Sequence, residues 1–132
     1  ALPIYYTMAT NQAQSVIHKI KGAGSKAGVA LNPGTPLSTI EEILYDVDVV
    51  LLMTAIPGAA GQPLLKHSID KIKRLHNIIR DNDYQCLLEV DGGVTIENAK
   101  SLREAGANIL VAGTAIYESS DVWGSFAMLK GD

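Results

Sequence analysis

Lys26-Ala27-Gly28-Val29-Ala30-Leu31-Asn32-Pro33-Gly34-Thr35-Pro36-Leu37 runs from an apolar stretch into a Pro- and Gly-rich loop and out toward a new helical pattern. The apolar part, Lys26–Leu31, is continuous rather than alternating. A strand reads that way when helices cover both faces of a parallel sheet. Three more runs have the same character, Val47–Thr54, Gln85–Val90 and Asn108–Ala112, and a weaker one spans Leu2–Met8.

Helical spacing fills the gaps between these runs. Ala13, Val16, Ile17, Ile20 and Ala23 make a core-facing stripe that Gly24 is placed to end. Leu65, Ile69, Ile72, His76 and Ile79 make a second. Ile96, Ala99, Leu102 and Ala105 make a third, with Thr95 as N-cap and Gly106 as stop. Ser38 and Glu41 have the spacing of a capping box for a short helix over Ile40–Leu44, and a terminal helix is expected around Trp123–Leu129. Strict strand–helix alternation with short loops implies parallel strands and right-handed crossovers. Either an open doubly wound sheet or a barrel satisfies that order.

The chain has 132 residues, 47% of them hydrophobic, enough for one domain with a core. A complete barrel typically needs about 250 residues. The sequence does not begin with Met, and further chain is expected upstream of Ala1. The net charge of −3 and pI near 5.5 argue against a nucleic-acid partner, which calls for a basic patch. The run Val47–Met53, interrupted by Asp48, is too short to span a bilayer, and no membrane partner is expected. A lone cysteine, Cys86, cannot form an internal disulfide and fits a reducing compartment, so a cytoplasmic location is expected.

In parallel α/β folds the residues just after each strand carry the chemistry. Here they are Asn32–Pro36, Ile56-Pro57-Gly58-Ala59-Ala60-Gly61-Gln62, Asp91-Gly92-Gly93 and Gly113-Thr114. Glycines at strand ends let a backbone approach a ligand closely, and neighbouring turns before helix starts can aim several N–H groups at one anion. Each element also has a structural reading. Asp91-Gly92 is a common turn pair, Thr114 can cap a helix, and Asn32–Pro36 can be a tight loop. Met53 fills core gaps by default. His18, His67 and His76 fall on helices, with no metal-binding spacing. Trp123 and Phe126 on the last helix are expected to pack against the barrel or a partner subunit.

Four segments, in order, resemble the ribulose-phosphate 3-epimerase family: Lys26–Leu37, Met53-Thr54 with Pro57-Gly58 and Gly61-Gln62, Glu89–Val94, and Val111–Tyr117. The resemblance implies a TIM (β/α)8 barrel of the ribulose-phosphate-binding type. About strands 4–8 would be represented, with residues 1–132 forming a single domain, the C-terminal portion of the barrel. It implies inversion of C3 in a phosphorylated ketose, of the D-ribulose 5-phosphate and D-xylulose 5-phosphate type, by two-base proton transfer through an enediolate. A divalent metal (Zn, Fe, Mn or Co) would assist. Residue by residue, Asp91 would be one of the two catalytic carboxylates and a metal ligand. Gly58, Gly61, Gly92, Gly93, Gly113 and Thr114 would hold the phosphate, Met53 would form an apolar wall, and Asn32 would face the substrate. The remaining metal ligands and the second carboxylate would lie outside this segment, and a homo-oligomer is expected.

The chain departs from the family's pattern at several positions. Tyr6 and Met8 stand where the family has a His-x-Glu pair. Ile56 stands where the family usually has a polar residue, and Ala59-Ala60 stand for the Phe-Gly of its Pro-Gly-Phe-Gly-Gly-Gln loop after strand 6. The departures keep other readings open. One is another epimerase, lyase or synthase acting on a sugar phosphate. A second is a non-catalytic binder of phosphate esters, and a third is a half-barrel that self-associates to cover its sheet edges.

Overall fold

The computed structural model describes residues 2–58 and 61–112. Strands β1 (Ile4–Met8), β2 (Lys26–Leu31), β3 (Val49–Met53), β4 (Leu87–Asp91) and β5 (Ile109–Val111) form one sheet in chain order, every neighbouring pair parallel. Helices α1 (Ala13–Gly22), α2 (Ser68–Asp81) and α3 (Ile96–Ala105) make three of the crossovers. The weak first strand therefore exists, β2 matches its apolar run residue for residue, and β3, β4 and β5 are shorter than theirs. Asp91 is the last residue of β4 rather than the first of the following loop.

The crossover between β2 and β3 differs from expectation. In place of one capped helix over Ile40–Leu44 stand two 3-10 segments, Leu37–Thr39 and Glu41–Asp46, and neither has a side-chain cap. The Ser38–Glu41 capping box is absent because Pro36 and Ile40 occupy the cap positions. Leu37, Ile40, Ile43 and Leu44 are all buried, so packing of four apolar side chains shapes this segment in place of a cap.

The two faces of the sheet differ sharply. Val29, Leu31, Val50, Leu52, Leu88 and Val90 point at the helices and are buried against Ile17, Ile72, Leu75, Ala99 and Leu102. The expected stripe on α2 is corrected here. Leu65 precedes the helix, His76 is exposed and Leu75 takes the buried place, one residue earlier in the 3.6-residue period. Met8, Ala30, Leu51, Glu89 and Ile109 pair laterally as one row of the opposite, concave face. Ile4, Tyr6, Met8, Leu87 and Val111 are exposed, so burial on both faces holds only in part. In a closed barrel that face is the packed interior. The described residues supply five of the eight strands that close one.

Thr95 caps α3 as expected. Its Oγ1 accepts from the Asn98 N–H, while Asn98 Oδ1 accepts from the Thr95 N–H at 2.8 Å. Gly106 ends the helix at φ 127°, and Gly24 follows α1 at φ 86°. The terminal helix over Trp123–Leu129, with Trp123 and Phe126, lies outside the described residues.

Two polar side chains close the sheet's N-terminal edge in the same way. Asp48 precedes β3; its N–H donates to the Ala27 carbonyl at 2.8 Å, and its Oδ2 accepts from the Ala27 N–H at 2.9 Å. Asn108 precedes β5 and repeats the pattern on Leu88, 2.8 Å in both directions. The acid that interrupts the Val47–Met53 run thus completes a parallel ladder where the neighbouring backbone has run out. Asp48→Ala and Asn108→Ala would each strand a buried N–H. Each is expected to lower unfolding free energy by about 1–3 kcal/mol in urea titration, with Asp48→Asn nearer wild type because it keeps an acceptor.

Candidate functional site

At the C-terminal edge of the sheet, the end of β3 and the end of β4 enclose a cavity of about 350 Å³. Its walls include Met53, Ile56, Gly58, Gly61, Asp91, Gly92, Gly93 and Val111. Six of the predicted site residues thus come together there. Asn32 does not. It is exposed and absent from the lining, because the loop after β2 turns toward α2. Gly113, Thr114, Ala59 and Ala60 lie outside the described residues. Tyr6 and Met8 stand on the concave face of β1 and are not in the lining either.

The turn after β4 can be made only of glycine. Gly92 and Gly93 have φ of 125° and 71°, in the left-handed region. A Cβ on Gly92 would lie 2.6 Å from the Ala55 nitrogen, and one on Gly93 would collide with the Leu64 backbone. Three successive carbonyls here are held by protein donors. Thr54 N–H donates to Asp91 O at 2.9 Å, Thr54 Oγ1–H donates to Gly92 O at 2.6 Å, and Asn98 Nδ2–H donates to Gly93 O at 2.8 Å. In a trans peptide the N–H lies opposite the carbonyl. The N–H groups of Gly92 and Gly93 therefore point away from Thr54. The Asp91 carboxylate is half-buried, and no hydrogen bond or ion pair engages it among the described residues.

The sequence reading missed Thr54 and Lys71. Thr54 ends an apolar run and looks like a strand residue, yet it is 2% exposed with every polar group bonded. Its carbonyl accepts from the Leu65 N–H at 2.8 Å and from Ser68 Oγ at 3.3 Å. Lys71 stands among the charged residues Asp70, Lys73 and Arg74, a pattern that suits a solvated helix face. Instead it is half-buried, and its Nζ donates to the carbonyls of Asn32, Pro33 and Thr35 at 3.3, 3.1 and 2.6 Å. It pins the loop after β2 to α2. Burial, then the nearby Arg74 charge, pushes its pKa down. Only the unmet carbonyls of a Pro-Gly loop could have hinted at such a cation.

On the concave face the Tyr6 ring lies over Gly28, where a Cβ would come within 2.6 Å of ring carbons, and its hydroxyl donates to Glu89 Oε1 at 2.7 Å. Burial, followed by the hydrogen bond to Glu89 and its charge, pushes the Tyr6 hydroxyl up to about 12. Among the described residues no group of three His, Cys, Asp or Glu side chains comes together to hold a metal. Asp91 offers one carboxylate, and His18, His67 and His76 are all exposed on or at the ends of helices. On their own these residues do not make a metal site. Cys86 is buried in the core and its thiol pKa is raised by burial. No helix among the described residues is long and apolar enough to cross a membrane.

A parallel sheet with helical crossovers on one face, an open concave face and a glycine-lined cavity at its C-terminal edge defines part of a (β/α)8 barrel. Two solved structures share this fold. One is a 3-hexulose-6-phosphate synthase, with a TM-score of 0.66 and 18% identity over 97% of this chain and 60% of that one. The other is the 3-hexulose-6-phosphate synthase of Salmonella typhimurium, with a TM-score of 0.67 and the same identity and coverage.

The model of the Ribulose-phosphate 3 epimerase family matches residues 3–117, and the chain belongs to that family. It is 47% identical to the chloroplastic ribulose-5-phosphate-3-epimerase of Arabidopsis thaliana over 83% of this chain and 41% of the relative. It is 46% identical to the ribulose-phosphate 3-epimerase of Bacillus subtilis over 87% and 54%. The ribulose-phosphate 3-epimerase of Methanocaldococcus jannaschii is also 46% identical, over 81% and 46%. The chain spans about half the length of these relatives.

Two outcomes follow from this geometry. Lys71→Met would leave three carbonyls without their cation; a loss of about 1.5–3 kcal/mol is expected, with faster amide exchange at Thr35. Tyrosine absorbance should show Tyr6 titrating near 12, a step that Tyr6→Phe removes. Because the folded value is raised, this bond's contribution to stability is complete below the ordinary 10.0 and is lost as pH climbs through about 12.

Proposed function

We propose that the protein carrying this chain epimerises C3 of a phosphorylated ketose of the D-ribulose 5-phosphate type, and that this segment supplies the phosphate grip and one of two proton-transfer carboxylates. One observation carries the reading. Among the described residues the Asp91 carboxylate is unpaired, and it shares its cavity with a Gly-Gly turn whose N–H groups point away from the Thr54 donors that hold its carbonyls. Family membership supports the choice of substrate class.

In this reading Gly92, Gly93, Gly58 and Gly61 receive the phosphate together with Gly113 and Thr114, and Met53 walls the reacting carbon on its apolar side. Asp91 takes the C3 proton. The C–H electron pair moves into the adjacent carbonyl and gives an enediolate. A proton returned to the other face of C3 inverts it. One carboxylate cannot serve both faces, so the second group comes from chain outside this segment. Any divalent metal would likewise draw its other ligands from there, with Asp91 adding one. Residues 1–132 then form one domain, the C-terminal portion of the barrel, in a cytoplasmic homo-oligomer.

The diverged Tyr6 and Met8 stand away from the Asp91 cavity, which favours an enzyme over a binder that has lost its chemistry. Solvent-deuterium incorporation at C3 of ribulose 5-phosphate by the full-length protein tests this. Wild type should exchange, and Asp91→Asn should fall by about a thousandfold. Binding of the ester with no exchange would establish the non-catalytic reading instead.

A further inference from the structure

We propose that the Thr54 hydroxyl fixes which way the Gly92–Gly93 peptide faces, and so aims the Gly93 N–H at the anionic group of the ligand. The ligand assignment rests on the function proposed above; the orientation of the peptide does not.

A peptide between two glycines is easily turned over, because neither flanking residue has a Cβ to resist. Gly92 and Gly93 hold φ of 125° and 71°, so steric preference does little to select one orientation. The carbonyl of this peptide meets Thr54 Oγ1 at 2.6 Å, at the short end for hydroxyl donors. Since the peptide is planar and trans, holding the carbonyl toward Thr54 holds the Gly93 N–H on the opposite side. Turning it over would leave the Thr54 hydroxyl without an acceptor in a site 2% exposed, where water cannot substitute.

Thr54 itself cannot follow such a movement. Its N–H is bonded to Asp91 O, its carbonyl to Leu65 N–H and Ser68 Oγ, and its branched side chain is stiff about χ1. The hydroxyl is therefore a fixed donor facing a movable acceptor. The same residue holds the carbonyls of both Asp91 and Gly92, so the carboxylate-bearing residue and the anion-facing amide share one support. Thr54 acts through the turn and is a positioning residue.

The test uses the full-length protein with Thr54→Val, which keeps the shape and loses the hydroxyl, and Thr54→Ser, which keeps the hydroxyl. The readouts are the Gly93 amide resonance and the affinity for inorganic phosphate. Thr54→Val should shift the Gly93 amide and weaken phosphate about tenfold, and Thr54→Ser should stay within about twofold of wild type. A purely packing role would lower the melting temperature of Thr54→Val without changing phosphate affinity or the amide. That result, or equal losses in both variants, would overturn the proposal. If Thr54→Val does not fold, the wild-type Thr54 hydroxyl proton decides. Slow exchange with solvent supports the bond, and exchange at the rate of an exposed hydroxyl refutes it. If wild type binds no phosphate, the ligand assignment fails alone, and the Gly93 amide in the two variants still reports on the peptide.

Discussion

At the end of β3 the chain must leave the sheet while still buried, and the backbone of Thr54 has no water to satisfy it. Its N–H finds the carbonyl of Asp91, its hydroxyl that of Gly92, and its carbonyl the start of α2. One threonine thereby joins β3, the turn after β4 and the helix that follows the Pro57–Gln62 loop. Lys71, one turn into that helix, extends the linkage to the loop after β2 through three more carbonyls. The C-terminal edge of this sheet is a network of satisfied backbone groups, and the cavity with Asp91 is the space it encloses. Among the described residues the Asp91 carboxylate has no partner, while the carbonyls of Asp91, Gly92 and Gly93 beside it are all engaged.

The opposite edge solves the same problem with a simpler device. Asp48 and Asn108 each lend a side-chain oxygen to the N–H of the second residue of the neighbouring strand. Between the two edges, the helix-facing side of the sheet is sealed by valines and leucines. The concave side keeps exposed apolar residues and a hydrogen bond from Tyr6 to Glu89. That asymmetry is what a barrel interior looks like when fewer than eight strands surround it.

The departures from the family's pattern divide by position. Tyr6 and Met8 lie on the concave face of β1, where Tyr6 packs over Gly28 and engages Glu89. They reshape the interior without entering the Asp91 cavity. Ile56 does enter its lining, and is 62% exposed there, so an apolar side chain borders the space where a polar one would otherwise stand. Divergence at this loop changes the wall of the cavity, and divergence on β1 changes the interior beneath it.

Local pattern by itself determined the order of strands and helices, their parallel arrangement, the Thr95 cap and the Gly106 stop. Each depends on residues within a turn or two of one another. That Met53, Asp91 and the glycine turns gather at one cavity was also legible, because all of them stand at or just after strand ends. Only the tertiary structure decided the rest. The capping box at Ser38 gave way to burial of Leu37, Ile40, Ile43 and Leu44, and the α2 stripe settled on Leu75 rather than His76. Asn32 was turned from the cavity by its loop's attachment to Lys71. Thr54, Lys71, Asp48 and Asn108 were unreadable for one shared reason. Each has its partner 20 to 39 residues away, and nothing in the neighbouring sequence announces a backbone group that only the fold brings within reach.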